Sequence, residues 1–380
     1  MRKIKLFLSA LTLMFAGSAF AALPVPTPAA PQLGAPSYIL VDFHSGQELA
    51  GKNADERMEP ASLTKLMTVY AVLHELNAGR LSLDDQVTVS EKAWRAEGSR
   101  MFIEVGTKVS VEKLLRGVII QSGNDASIAL AEHIAGSEGT FAQLMNQYAQ
   151  TLGMTGTHFM NATGLPHPEH FSTARDLAKL AAAIIREFPE HYSLYSEKQF
   201  TYNGITQYNR NKLLWRDPSV DGLKTGHTQS AGYGLITSAQ RENMRLISVV
   251  MGTKGEDDRA QQSQALLNYG FRFFETHRLY AAGTALAEPR VWKGVTEYLP
   301  LGLSRDLYVT IPRNQYEQLD ASMSVDGMIT APLQPGVELG RVIVRLGDTV
   351  VSEAPLVSLS AMEEGGLWRK LVDEVLLMFQ

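Results

Sequence analysis

A chain of 380 residues with 35 Lys and Arg against 40 Asp and Glu carries a formal net charge of -5. Its basic residues are scattered, which excludes the clustered cationic stripe that nucleic-acid binding needs. It has no cysteine, so disulfides and thiolate metal sites are excluded as well. No His-Glu-x-x-His pattern offers another ligand set, and no metal or cofactor is expected.

In chain order, Arg2, Lys3 and Lys5 precede the apolar run LFLSALTLMFAG, and SAFAA follows with Ala19 and Ala21 at the small-residue positions of a cleavage site. Residues 1–21 therefore read as a secretory signal peptide with Ala22 as the mature start, an uncleaved anchor being the alternative. The protein is then expected to act outside the cytoplasm. Residues 22–36 form a proline-rich leader, expected to be extended or disordered. Some 360 residues remain, which suits two domains at the usual ~100–200 residues each.

SYILVDFHSGQELAGKN reads as a hairpin turning at Ser45-Gly46. It delivers the chain to PASLTKLMTVYAVL, bracketed by Pro60 and Gly79. Leu66, Met67, Val69, Tyr70, Ala71, Val72 and Leu73 leave this helix almost no polar face, so it is expected to be buried. Lys65 either snorkels out through the helix end or loses hydration, and the second course lowers its pKa toward a neutral amine, a base. Ser62 is either a helix cap or a nucleophile beside that base.

VEKLLRGVII and ASIALAEHIAG read as helices separated by QSGNDAS, where Gly123 permits a sharp turn. Ser122 and Asn124 project from that turn into a common cleft, and Asp125 is expected to cap the helix starting near Ala126. The following loop, NATGLPHPEHFSTARD, carries His167 and His170, read as surface residues, and Glu169 as its only carboxylate before Asp176. A helix, DLAKLAAAIIREF, leads to strand-like KQFTYNG, VDGLKTGHT, GYGLITSAQ and MRLISVVMG, then a helix over RAQQSQALLNYGFRFFETH. In the Lys-Thr-Gly strand, alternation places Lys224 and Gly226 on one face and Thr225 on the other; the glycine lets a ligand approach the backbone.

Near residues 281–288 the helical period stops, and short apolar runs broken by Gly, Pro and Asp continue to about Leu359. The expected division is a catalytic domain over 37–284, a small β domain over 285–359 and a terminal helix within 360–380. In that tail, Leu367, Trp368, Leu371, Val372, Val375, Leu376 and Phe379 share a face, with Arg369, Lys370, Asp373 and Glu374 largely opposite. The segment is too short and charged to span a bilayer. It is expected either to dock on the β domain or, set off by Gly365 and Gly366, to lie on a membrane surface.

Ser-x-x-Lys, Ser-Gly-Asn and Lys-Thr-Gly, in that order on helix, loop and strand, form the trio of β-lactamases and penicillin-binding proteins. With GSRMFIEVGTKVSVEKLLRGVIIQSGNDA, YNGITQYNRN, VDGLKTGHT and LISVVMG, the chain resembles the type-5 low-molecular-mass penicillin-binding proteins, the serine D-alanyl-D-alanine carboxypeptidases, over nearly its whole mature length. The resemblance implies an α/β transpeptidase-like domain, an antiparallel sheet between helices, followed by a β-rich stalk. It implies Ser62 as nucleophile, Lys65 as base, Lys224 as a second cation across the cleft and Ser122 as proton relay to the leaving D-alanine. Asn124 would orient side chains and the substrate amide, and the backbone N–H groups of Ser62 and His227 would hold the oxyanion. Lys224 and Thr225, beside Gly226, would take the substrate carboxylate with Arg259. Arg210 would help them or pair instead with Asp176.

The implied partners are peptidoglycan pentapeptides, β-lactams and, through the terminal helix, the outer face of the inner membrane. Two other readings are a class A-like β-lactamase, disfavoured because the loop bearing Glu169 lacks the local pattern of that base, and an inactive scaffold of the same fold.

Overall fold

A computed structural model describes residues 27–378. The signal-peptide assignment, Ala22 as the mature start, the first residues of the leader, and Phe379 lie outside the described residues.

The N-terminal unit is built on a five-stranded antiparallel sheet. Strand β1 (Ser37–Asp42) and β2 (Glu48–Lys52) form the N-terminal hairpin; β3 (Val220–Thr228), β4 (Gly232–Arg241) and β5 (Met244–Thr253) complete it in the order β2-β1-β5-β4-β3. Its strands are apolar on both faces because both faces are covered. Along β1, Ile39 enters the core shared with helices α1 (Lys65–Asn77), α2 (Asn124–Ala135), α3 (Glu138–Thr151) and α4 (Ala174–Glu187). Tyr38 and Leu40 enter the opposite core against α5 (Glu256–Phe273). Helix α1 sits inside the first core, with Leu66, Met67, Ala71 and Val72 fully buried. Its near-continuous apolar sequence follows from that position.

The β-rich unit begins with strand β6 (Phe274–Tyr280), which continues directly from α5 and pairs with β7 (Leu307–Pro312). This pairing reaches back to Phe274, ahead of residue 285, where the change of sequence texture put the division. The continuous polar run Glu275–Arg278 within FETHRLY hides the strand. Strands β8 (Leu319–Val325), β9 (Glu338–Leu346) and β10 (Thr349–Ser358) form an antiparallel sheet with β9 central between them. Its core includes Val342, Val344, Leu356 and Leu301.

A buried carboxylate joins the two units. Asp42 Oδ1 accepts hydrogen bonds from the His44 and Ser45 N–H groups and from Ser45 Oγ, while Oδ2 accepts from Thr276 Oγ1 at 2.8 Å. Thr310 Oγ1 lies 2.6 Å from Ser45 Oγ. The hairpin turn is thus tied to β6 and β7 by a fully satisfied polar knot, the form in which a buried carboxylate is tolerated.

The chain closes with helix α6 (Leu367–Leu377). Gly365 and Gly366 do not detach it, contrary to the sequence expectation. The Gly365 N–H donates to the Lys293 carbonyl at 2.8 Å, and a Cβ on Gly365 would lie 2.8 Å from the Gly294 carbonyl oxygen. The glycine is there for close packing against residues 293–294.

Candidate active site

Ser62 lies in a 3-10 turn, Ala61–Thr64, just ahead of α1. The turn is tight: Ala61 has φ +47°, a conformation costly for a residue with a Cβ. Neither end of this segment has a side-chain cap, so the capping reading of Ser62 is not realised. Its Oγ instead lies 2.9 Å from Lys65 Nζ. Lys65 does not snorkel; it is 0% exposed, and its Nζ donates to the Thr163 carbonyl at 2.6 Å. Burial, reinforced by the charge of Arg210, lowers its pKa to about 7, against opposing pulls from Asp125 and Glu138. An amine tethered by one N–H and otherwise neutral keeps a lone pair able to take the Ser62 proton.

Ser122 occupies the left-handed region at φ 65°, immediately after a widened helical turn at Gly117–Gln121. That turn throws its side chain toward β3, where Lys224 Nζ donates to Ser122 Oγ at 2.9 Å and to the Thr225 carbonyl at 3.0 Å. Lys224 is buried, and its pKa falls well below that of free lysine through burial first, then repulsion from Lys65, Arg210 and Arg259. Two Ser–Lys pairs therefore meet in one cleft.

Asn124 starts α2, donates from Nδ2 to the Glu97 carbonyl at 2.6 Å, and its backbone N–H donates to the Ser99 carbonyl at 2.7 Å. Asp125 is not the cap of this helix; Gly123 stands at that position. The Asp125 carboxylate reaches across to the N–H groups of Met101, Phe102 and Ile103 at 3.0, 2.9 and 3.3 Å, while also accepting from Ala126 N–H. It pins residues 101–103 while Asn124 holds residues 97 and 99, and together they fix this segment as the cleft wall.

Gly226 faces the Ser62 turn, where an added Cβ would lie 3.0 Å from the Pro60 carbonyl oxygen and the Leu63 side chain. Thr225 borders the cleft beside Gly226 even though alternation assigns them opposite faces. β3 is an edge strand, so its free edge as well as its face is open to a ligand. His227 is exposed and stacks on its cross-strand neighbour Tyr233 at 3.9 Å between ring centroids.

Arg259, on α5, is buried and donates to the Gly226 carbonyl at 3.0 Å. Arg210 lines the same cleft. Its pairing with Asp176 is not formed, because Asp176 is taken up by Gly156 N–H, Thr157 Oγ1 and Lys179. Ser62, Ser122, Asn124, Thr225, Gly226 and the two arginines line a cleft of about 410 Å³, with Lys65 and Lys224 buried behind its serines. Among the described residues, no group of three His, Asp or Glu side chains is placed to hold a metal ion.

Three contributions escaped sequence reasoning: the Thr163 carbonyl, the bend at Gly164 and the His170 ring. Thr163 acts through its carbonyl, which carries no residue signature. Gly164, at φ +82°, lies so close to the Ser62 turn that an added Cβ would overlap the Ala61 carbonyl oxygen at 1.8 Å. Asn161 Oδ1 shapes this bend by accepting from Thr163 N, Thr163 Oγ1 and Gly164 N; the Asn-x-Thr-Gly string was its available signal.

His170 is the third, and it is not a surface residue. Met160 N–H donates to its Nδ1 at 3.1 Å, so Nε2 carries the proton and donates to Thr64 Oγ1 at 2.8 Å. Burial lowers its pKa to about 4, and the neutral ring braces the turn that carries Ser62. His167 is exposed, as expected.

The family profile described as D-alanyl-D-alanine carboxypeptidase matches residues 25–255, and that of the penicillin-binding protein 5 C-terminal domain matches residues 274–364. D-alanyl-D-alanine carboxypeptidase DacC of Escherichia coli K12 is 45% identical over 379 residues, covering 98% of this chain and 94% of that protein. The structure of penicillin-binding protein 5 from Haemophilus influenzae superposes with a TM-score of 0.85 at 43% identity, over 89% of this chain and 100% of that one. Penicillin-binding protein D2 from Listeria monocytogenes, in its ampicillin-bound form, is 32% identical with a TM-score of 0.59, over 63% of this chain and 98% of that one. With the ordered trio drawn into one cleft and a β-rich unit behind it, the chain belongs to the D-alanyl-D-alanine carboxypeptidase family and carries the C-terminal domain of penicillin-binding protein 5.

Proposed function

We propose that this protein is a serine DD-carboxypeptidase that removes the terminal D-alanine from peptidoglycan stem peptides ending in D-Ala-D-Ala, and that penicillins acylate the same serine. The observation that carries this reading is the hydrogen-bonded pairing of Ser62 with Lys65 and of Ser122 with Lys224 in one cleft.

Ser62 Oγ attacks the carbonyl carbon of the penultimate D-alanine while its proton passes to neutral Lys65. The backbone N–H groups of Ser62 and His227 hold the oxyanion. The C–N bond breaks, and Ser122 relays a proton to the departing amine. Water then hydrolyses the ester, with the same basic groups taking its proton. Lys224, Thr225 and Arg259 receive the substrate's terminal carboxylate, helped by Arg210; Asn124 orients the substrate amide.

Rapid β-lactam hydrolysis has less support. Glu169 is exposed and is not among the residues lining the cleft, so penicillin should leave slowly. A peptide ending in D-Ala-D-Ala should release one equivalent of D-alanine per peptide, measured by a coupled amino-acid assay. No release, alongside stoichiometric penicillin labelling, would reduce the protein to a penicillin-binding scaffold.

The same reading places the mature protein in the periplasm, held peripherally on the outer face of the inner membrane by α6. Among the described residues no helix is long and apolar enough to cross a membrane. The tail's acidic residues Glu363, Glu364, Asp373 and Glu374 outnumber Arg369 and Lys370, so attachment is mainly apolar rather than electrostatic. In cell fractionation, high salt should leave the full chain with the membrane, while a form ending at Ser360 should be soluble. Release of the full chain by salt alone would contradict this attachment.

A further inference from the structure

A terminal helix of a soluble protein buries its apolar face and offers its charges to water. Helix α6 instead exposes its apolar face and buries one carboxylate. Leu367 and Trp368 are 82% and 83% exposed, and Leu371, Val372, Val375 and Leu376 between 42% and 58%, while Asp373 is 0% exposed. Asp373 Oδ2 accepts from the Lys293 backbone N–H at 2.6 Å, and Oδ1 accepts from Arg290 Nη2 at 3.2 Å. Arg369 closes on the same carboxylate at 3.5 Å.

The other charges of the helix are also engaged on this side. Glu374 pairs with Lys293 at 3.2 Å, and Lys370 pairs with Glu364. Arg290 is held in turn by Glu297 and by the face of Trp292, 4.2 Å from its ring centroid. All four charged residues of α6 are therefore engaged in ion pairs within this unit.

From this we propose that Asp373 is the pin of a polar clamp that fixes α6 to the β domain, so that the lipid-facing ridge is a rigid part of the β domain and orients the whole enzyme on the membrane instead of tethering it loosely. This rests on the membrane reading given above. A lipid surface is the occupant that fits the exposed ridge. The ridge offers no charge and, apart from the Trp368 indole at one end, no hydrogen-bonding side chain. A protein interface of this kind would carry a polar rim, whereas an indole at the end of an apolar ridge suits the water–lipid boundary. The clamp also explains why the charge balance of the tail matters little to binding: its cations are already paired.

The absence of cysteine makes the test direct. Spin labels at Ser322→Cys on β8 and Met378→Cys at the end of α6 report the distance between helix and sheet by pulsed electron resonance. Measurements are made on the full mature chain, free and bound to phosphatidylethanolamine–phosphatidylglycerol vesicles. The clamp predicts one narrow distance, unchanged on the vesicles. Asp373→Asn should broaden that distribution while vesicle cosedimentation stays within about twofold, because the apolar ridge is intact. Penicillin acylation, remote from Asp373, serves as the check on folding in both forms. A broad or shifted distance for the wild type on vesicles, or a narrow one in Asp373→Asn, would overturn the clamp. Failure of the wild type to cosediment would overturn the membrane reading itself. A lipid-free dimer that Leu371→Asp dissolves would identify a second copy as the occupant, and so overturn the lipid assignment.

Discussion

Replacing Lys65 with arginine stops acylation of Ser62, with an expected loss of about 10²–10⁴-fold, the range that general-base catalysis supplies. Guanidinium stays protonated at any working pH and has no lone pair to offer, so the substitution fixes a positive charge here and removes the base. It must also fit a larger planar group where Lys65 is fully enclosed. In the native protein the amine must be neutral to act. Its pKa is lowered to about 7 by burial and by the charge of Arg210, so the acylation rate should be low below pH 7, where the amine is protonated. It should rise through a midpoint near 7 and level off above it.

Lys224 is lowered by the same burial and by Lys65 itself, so the measured midpoint belongs to the pair rather than to one residue. Stopped-flow acylation by a chromogenic penicillin across this range gives the profile. An arginine variant within tenfold of wild type, or a wild-type rate that is flat in pH, would remove Lys65 from the base role.

Much of the site was legible because its parts are local strings. Ser62 and Lys65 are one turn apart, Ser122 and Asn124 share one bend, and Lys224 opens the Lys-Thr-Gly string. The burial of Lys65 could be read because α1 has almost no polar face. What escaped depends on contacts distant in sequence or on backbone atoms. Asp125 looked like a cap because capping is a local pattern, whereas its partners Met101, Phe102 and Ile103 lie 22 to 24 residues away. His170 stands in a loop with Pro and Glu, and nothing nearby signals that its ring reaches Thr64, 106 residues earlier.

The same distinction applies to the fold. The two-faced sheet and the apolar helix follow from composition and period. Strand β6 carries no apolar/polar alternation to mark it, because it continues a helix without a break and its middle is the polar run Glu275–Arg278. For α6, the sequence defined two faces and left open which one turns inward. That was decided by Arg290 and Lys293, about eighty residues upstream.

The most direct test of the account is the mass of the protein after reaction at Ser62. With penicillin, the intact chain should gain the mass of one ring-opened drug, because Ser62 Oγ adds to the lactam carbonyl and the C–N bond opens without loss of a fragment. Peptide mapping should place the adduct on Ser62, and Ser62→Ala should gain nothing and release no D-alanine from a D-Ala-D-Ala peptide. An adduct that persists in Ser62→Ala, or one that maps to another residue in the wild type, would contradict the assignment of Ser62 as the nucleophile.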